Sequence, residues 1–213
     1  MEEEEPVATE ETTSAVRQAY PNLPSDVVFE NDQIVAQRVT AEHGVWAGEH
    51  SHGEGQIAVV LKEATQIYRE GGEETERVFA AGEVVAVEPT EAHDHMISSE
   101  GADFVLITMA PGEPGTATIQ DYPNRPAEVV MENDRVIAQR LIGEPGNWVG
   151  EHAHTEGQIG VVIKGGTVTY REGGEETERT YTEGEVFMVE PTGAHDHAVT
   201  GDSAIETILF TLK

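Results

Sequence analysis

Cysteine is missing from the 213-residue chain and basic side chains are scarce. Twelve lysines and arginines stand against 41 aspartates and glutamates, a formal charge of −29 at pH 7 with nine neutral histidines. Without cysteine there is no disulfide framework, no thiolate metal site and no thiol nucleophile. Without basic clusters there is no counterion release to drive binding to polyanions, which excludes nucleic acid and anionic membrane surfaces as partners. No uncharged apolar run approaches the ~20 residues that cross a bilayer. The opening run Met1-Glu2-Glu3-Glu4-Glu5-Pro6 is the reverse of an export signal, which is basic and then apolar. These absences predict a cytoplasmic protein with no membrane partner.

What is present is a repeat. Displaced by 102 positions, Tyr20-Pro21-Asn22 falls on Tyr122-Pro123-Asn124, and the ten residues Tyr68 to Arg77 recur unchanged as Tyr170 to Arg179. About three positions in five are identical, without a gap, from Gln18 to Ala102. A unit of about 100 residues is too long for a solenoid repeat and is the size of a small domain. The sequence therefore predicts an acidic, disordered tail over 1–17 and two domains, 18–113 and 114–213. Pro111-Gly112-Glu113-Pro114-Gly115 forms a short linker that keeps them in contact.

Within each repeat the pattern is that of strands. Ile57 to Leu61, Gln66 to Tyr68, Val84 to Val87 and Val105 to Met109 are short, rich in β-branched residues and bounded by glycine or proline. Gly71-Gly72 followed by Glu73 to Arg77 predicts a hairpin turn with a solvated, charged arm. Many short strands and no helical period predict an all-β fold, a sandwich or small barrel occurring twice.

Eight of the nine histidines lie in four His-x-His pairs: His50/His52, His93/His95, His152/His154 and His195/His197. The ninth, His43, faces Pro145 in the other repeat. Residues i and i+2 of a strand share a face, so each pair sets two imidazoles side by side. Neutral imidazole is a common metal ligand. A donor from the second pair would complete a facial set that leaves coordination positions open.

At these residues each half resembles a cupin. Gly48-Glu49-His50-Ser51-His52-Gly53-Glu54-Gly55-Gln56 and Gly150-Glu151-His152-Ala153-His154-Thr155-Glu156-Gly157-Gln158 are similar to the first cupin motif. Gly82 to His93 through Pro89 and Gly184 to His195 through Pro191 are similar to the second. The resemblance implies two tandem cupin barrels, of the jelly-roll or double-stranded β-helix kind. It also implies one divalent transition metal per barrel (Mn, Fe, Ni, Cu or Zn), held by His50, His52, Gln56 and His93 in the first and by His152, His154, Gln158 and His195 in the second. His95 and His197 are then general acid/base candidates, and Glu54 and Glu156 are alternative ligands. Trp46/Trp148 and Tyr68/Tyr170 read as core aromatics and stay outside the site.

Gln56 and Gln158 stand where most metal cupins carry glutamate. A neutral amide leaves the metal its full positive charge and makes it a better seat for an anionic group. Cupins with this glutamine resemble enzymes that isomerise or open sugar acids, so the expected partner is a small anionic substrate. A metal-dependent dioxygenase and a non-enzymatic metal- or metabolite-binding bicupin are the other readings of the same motifs. The assembly is expected to be a monomer with the two barrels paired within the chain, or a homodimer. The acidic surface resembles that of a salt-adapted, halophilic protein, whose folded fraction should rise from dilute buffer to molar KCl.

Overall fold

A computed structural model of the chain describes residues 15–213, so the tail prediction lies, for residues 1–14, outside the described residues. Of its last residues, Arg17 pairs with Glu30 at 2.6 Å. No helix occurs among the described residues, and none is therefore long and apolar enough to cross a membrane.

The first repeat forms nine strands: β1 (Ser25–Glu30), β2 (Ile34–Ala41), β3 (His50–His52), β4 (Gln56–Lys62), β5 (Ala64–Glu70), β6 (Glu73–Phe79), β7 (Val84–Val87), β8 (Thr90–Ile97) and β9 (Ala102–Met109). The second forms β10 (Glu128–Glu132), β11 (Val136–Gly143), β12 (His152–His154), β13 (Gln158–Lys164), β14 (Gly166–Glu172), β15 (Glu175–Tyr181), β16 (Val186–Val189), β17 (Thr192–Val199) and β18 (Ile205–Leu212). Each repeat folds into a five-stranded sheet facing a four-stranded one. The orders are β1-β2-β9-β4-β7 with β3-β8-β5-β6, and β10-β11-β18-β13-β16 with β12-β17-β14-β15. All pairings between the named strands are antiparallel, and the chain is two tandem jelly-roll barrels.

The strand segments expected from sequence fall inside β4, β5, β7 and β9. The predicted hairpin arm is also present. Gly71 and Gly72 take φ of 56° and 86°, which two-residue hairpin turns require, and β6 behind them is exposed along almost its whole length. At the end of the sequence match, from Ala102 onward, β9 and β18 are offset by one residue. Ala41 pairs with Ala102 but Gly143 pairs with Ile205, because the β17–β18 loop is one residue longer than the β8–β9 loop.

The five-stranded sheets are apolar on both faces. Along β4, Ile57, Val59 and Leu61 project from one face and Ala58 and Val60 from the other, so the run reads as continuous rather than alternating. Residues inside the first barrel, such as Val39, Ala64, Ile97 and Leu106, form one core, and Val162, Val168, Phe187 and Leu209 form its counterpart in the second. The outward faces meet each other. Ile34, Ile57, Val59 and Ile107 of the first barrel and Ile159, Val161, Ile208 and Phe210 of the second make a single buried cluster, the largest in the protein. The two barrels are therefore in packed contact.

That contact is a pseudo-twofold one. Arg38, paired with Asp103 at 2.6 Å, reaches Glu183 O at 3.4 Å in the other barrel, while its counterpart Arg140, paired with Glu206 at 3.2 Å, donates to Gly82 O at 2.6 Å. Each barrel thus sends one arginine to the main chain of the other. The two arginines fix the relative rotation of sheets whose apolar contact is itself non-directional.

Candidate metal centre

The histidine pairs converge because β3 lies beside β8 in the small sheet. His50 faces His93 directly, and a bulge then sets His52 opposite Thr90. Ring centroids of His50 lie 5.0 Å from His52, 4.4 Å from His93 and 5.0 Å from His95. In the second barrel His152 lies 5.2 Å from His154, 4.4 Å from His195 and 5.3 Å from His197. All eight paired histidines therefore gather into two four-imidazole clusters. Donor atoms of His50, His93 and His95, and of His152, His154 and His195, come within 4.8 Å of one another, close enough to share one ion. His43 is exposed, bonds Ser99 O at 3.0 Å and takes no part.

Main-chain geometry aims these rings. Gly48 holds φ of 87°, and a Cβ there would meet Pro21 Cβ at 2.8 Å, so glycine is required both by the backbone twist and by the close approach. Its carbonyl accepts from His50 Nδ1 at 2.7 Å, and Gly150 O does the same for His152 at 2.8 Å. Asp94 ties the two motifs together, accepting from Gly48 N at 2.9 Å and His95 N at 2.8 Å; Asp196 repeats this with Gly150 N and His197 N. His93 Nδ1 is anchored on Glu91 O at 3.1 Å and His195 Nδ1 on Gly193 O at 3.0 Å. With Nδ1–H donating to a carbonyl, each of these rings presents a bare Nε2. His50 Nε2 and His152 Nε2 are buried without any hydrogen-bond partner, as are His154 Nδ1 and Gln158 Oε1. Buried polar atoms are rarely left so. Unsatisfied lone pairs converging from neutral rings are the donor set that a divalent transition metal takes.

Gln56 Oε1 accepts from His52 Nδ1 at 2.7 Å, and its amide donates to Gln18 Oε1 at 3.0 Å and to Thr108 Oγ1 at 3.3 Å. Gln158 donates to Thr211 Oγ1 at 2.8 Å. Both glutamines are buried, at 5% and 1% exposure, whereas the alternative ligand Glu54 is exposed and Glu156 is half-buried.

Burial dominates the electrostatics. His52 and His154 are pushed down to about 4, and His95 and His197 to about 3, first by desolvation; surrounding imidazoles add to it. His50 and His152 are lowered for the same first reason. The unfolded chain takes up protons near pH 6.5 while these folded rings do not. Stability from them is complete above pH 6.5 and is lost as pH falls toward 4, by up to ~1.4 kcal/mol per pH unit for each histidine. Denaturant titrations of chelator-treated protein at pH 7, 6 and 5 should show this decline; equal unfolding free energies would contradict it.

Several neighbours were not visible as site residues in the sequence. Tyr20 sets its ring edge-on to His50, His52 and His95, with Tyr122 placed likewise against His152 and His154. The repeated Tyr-Pro-Asn was the available signal. Tyr68, read as core, is half-buried and stacks on His93 at 4.9 Å. Trp46 lies under the Arg69 guanidinium at 3.8 Å and Trp148 under Arg171 at 4.0 Å, away from the histidines. Arg125 replaces Leu23 of the first repeat; it is buried, and its charge helps to lower His197 and His152.

Comparison with known proteins agrees with the fold. The Cupin_2 family model, a cupin domain, matches residues 141–211. No curated protein matches the chain. Among solved structures, AerE from Microcystis aeruginosa is similar over 95% of this chain and 99% of its own, with a TM-score of 0.64 and 14% identity. A single-residue variant of oxalate decarboxylase from Bacillus subtilis is similar over 94% of this chain and 79% of its own, with a TM-score of 0.61 and 12% identity. Vicilin from Corylus avellana is similar over 95% and 84%, with a TM-score of 0.59 and 11% identity. At such identities the likeness is one of fold. Part of the second barrel thus matches a cupin domain model, and the chain as a whole shares the fold of these structures.

Proposed function

We propose that each barrel binds one divalent transition metal ion and that the chain is a metal-dependent enzyme acting on a small oxygenated anion, by isomerase or ring-opening chemistry. The ligands assigned are His50, His52, His93 and Gln56 in the first barrel and His152, His154, His195 and Gln158 in the second; the second set contains the observed triad, whereas in the first it is His95 that stands with His50 and His93, and His52 would have to turn from Gln56 to join them. The observation that carries this reading is the orphaned, buried Nε2 of His50 and of His152, each set by an Nδ1 bond to a glycine carbonyl. A bound ion would supply Lewis acidity toward a carbonyl or hydroxyl oxygen.

The chain's own residues do the rest. Imidazole and amide donors bring no negative charge to the centre, so an anionic group is not repelled there. His95 and His197, held by Asp94 and Asp196 through their main-chain N–H groups, are assigned the movement of a proton at the substrate. Each is kept neutral by burial and so begins as the acceptor. An anion seated beside it raises its basicity back toward that of free imidazole. Tyr20 and Tyr122 close the apolar side of the cluster and exclude water from it. Oxalate decarboxylase, among the fold neighbours, has a small dicarboxylate in its name, the same class of anion.

Elemental analysis after expression in metal-supplemented medium tests the reading. Close to two equivalents of a divalent transition metal per chain are expected, and well under one would overturn it.

A further inference from the structure

The two barrels are not filled alike. From His52, His93 and His95 of the first, a cavity of about 370 Å³ extends into the barrel past Ala58, Val85 and Leu106. That volume is at the lower end of the ~300–1,000 Å³ of small-molecule sites. Its wall is mostly apolar, with the histidines at one end, Lys62 and Asp103 at the far rim, and Gln66, Thr75 and Arg77 of β5 and β6 on one side between them.

Strand register identifies what occupies the same place in the second barrel. Across β4 and β7, Ala58 pairs with Val85; across β13 and β16 the equivalent pair is Gly160 and Phe187. The Phe187 ring lies over the Gly160 backbone so closely that a Cβ at 160 would come within 2.2 Å of its Cζ. Phe187 is only 9% exposed and packs on Tyr181 at 4.8 Å, and the Tyr181 hydroxyl is bonded to that of Tyr170. One further wall position changes in the same sense: Ala102 lines the first cavity, while the register-equivalent Ile205 is buried in the cluster that contains Phe187. Gln66 of the first cavity is matched by Val168 of that cluster, which removes a polar group from the wall. The glycine and the phenylalanine form a complementary pair, because the ring fits only where the facing residue has no side chain.

We propose that the first barrel is the substrate chamber and that the Gly160–Phe187 pair closes the equivalent space in the second, which keeps its histidine cluster without a chamber, so that of the two proton-moving histidines only His95 meets substrate. The ligand is a small anion with an apolar body, a single ring or a branched chain, whose charged end faces the histidines. This deepens the metal-dependent reading above, and only the orientation of the charged end rests on it. Gln66, Thr75 and Arg77 can serve hydroxyls on one side only; on the side of Ala58, Val85 and Leu106 a polyhydroxylated body would set hydroxyls with nothing to bond, at about tenfold in affinity for each one left unpaired. The sugar-acid class implied by sequence resemblance is thereby narrowed to less hydroxylated anions.

Equilibrium dialysis of the full, zinc-loaded chain against benzoate and against D-glucuronate tests this. One benzoate per chain is expected, with D-glucuronate at least about tenfold weaker. The double variant Ala58→Gly/Val85→Phe, which transplants the closing pair, should lose benzoate while keeping its zinc. Gly160→Ala/Phe187→Val should take up a second benzoate. Two benzoates per unaltered chain, none, or one that survives Ala58→Gly/Val85→Phe would overturn the proposal. Crystals of the unaltered chain soaked in benzoate read the same question without relying on variants: density in the first barrel supports it, and density in the second refutes it. Benzoate binding to a chain that takes no zinc would refute the metal reading and leave the chamber standing. Zinc at both clusters without benzoate would do the reverse.

Discussion

His50→Ala is expected to cut the metal bound per chain by about half and leave the other barrel loaded, with His152→Ala doing the mirror experiment. The expectation follows from the separation of the two clusters onto different small sheets, β3-β8-β5-β6 and β12-β17-β14-β15, with the paired large sheets between them. Each alanine removes a ring whose buried Nε2 has no other partner, so no hydrogen bond within the protein is broken at that atom. Deprotonated ligand atoms and metal affinity are coupled to folding. The melting temperature in excess metal should therefore fall toward that of the chelated protein, while the melting temperature after chelation stays close to that of the unaltered chain. Metal content by elemental analysis, with far-UV circular dichroism for the fold, checks both. Loss of metal from both barrels on either substitution would contradict the separation of the centres.

Phe210→Ala is expected to destabilise the whole chain by about 3–5 kcal/mol, the range for emptying a fully buried aromatic site. Phe210 is 1% exposed and belongs to the cluster shared by the barrels. Because Ile57 and Ile107 of the first barrel lie in the same cluster as Ile159 and Ile208 of the second, the loss is felt on both sides. Denaturant unfolding followed by circular dichroism and by tryptophan fluorescence is informative, since Trp46 and Trp148 report one barrel each. Coincident transitions moving together are expected. A variant in which only the Trp148 barrel shifts would show that the barrels unfold independently.

Much of this architecture was legible in the sequence because it is local or repeated. Strands such as Ile57 to Leu61 announce themselves by β-branched runs, the hairpin by Gly71-Gly72, and the metal candidates by four His-x-His pairs that strand geometry places on common faces. What was not legible depends on partners far apart in the chain. Gly160 and Phe187 each look like an ordinary difference between repeats, and only their pairing across β13 and β16 shows that one makes room for the other. Arg125 in place of Leu23 reads as a surface change until the fold buries it beside Tyr122 and His152. The gapless offset failed at Ile205, because an extra residue in a tight loop leaves the hydrophobic pattern of the final strand intact. Tyr20 lay outside any strand pattern, and its role follows from where the segment before β1 passes over the histidines.

The reciprocal placement of Arg38 on Glu183 and Arg140 on Gly82 means that the barrels meet as two copies of one protein would, each offering the other the same patch. In a dimer such a contact obeys mass action and comes apart on dilution. Here the segment between β9 and β10 makes the association unimolecular, so its strength is set by effective concentration rather than by how much protein is present.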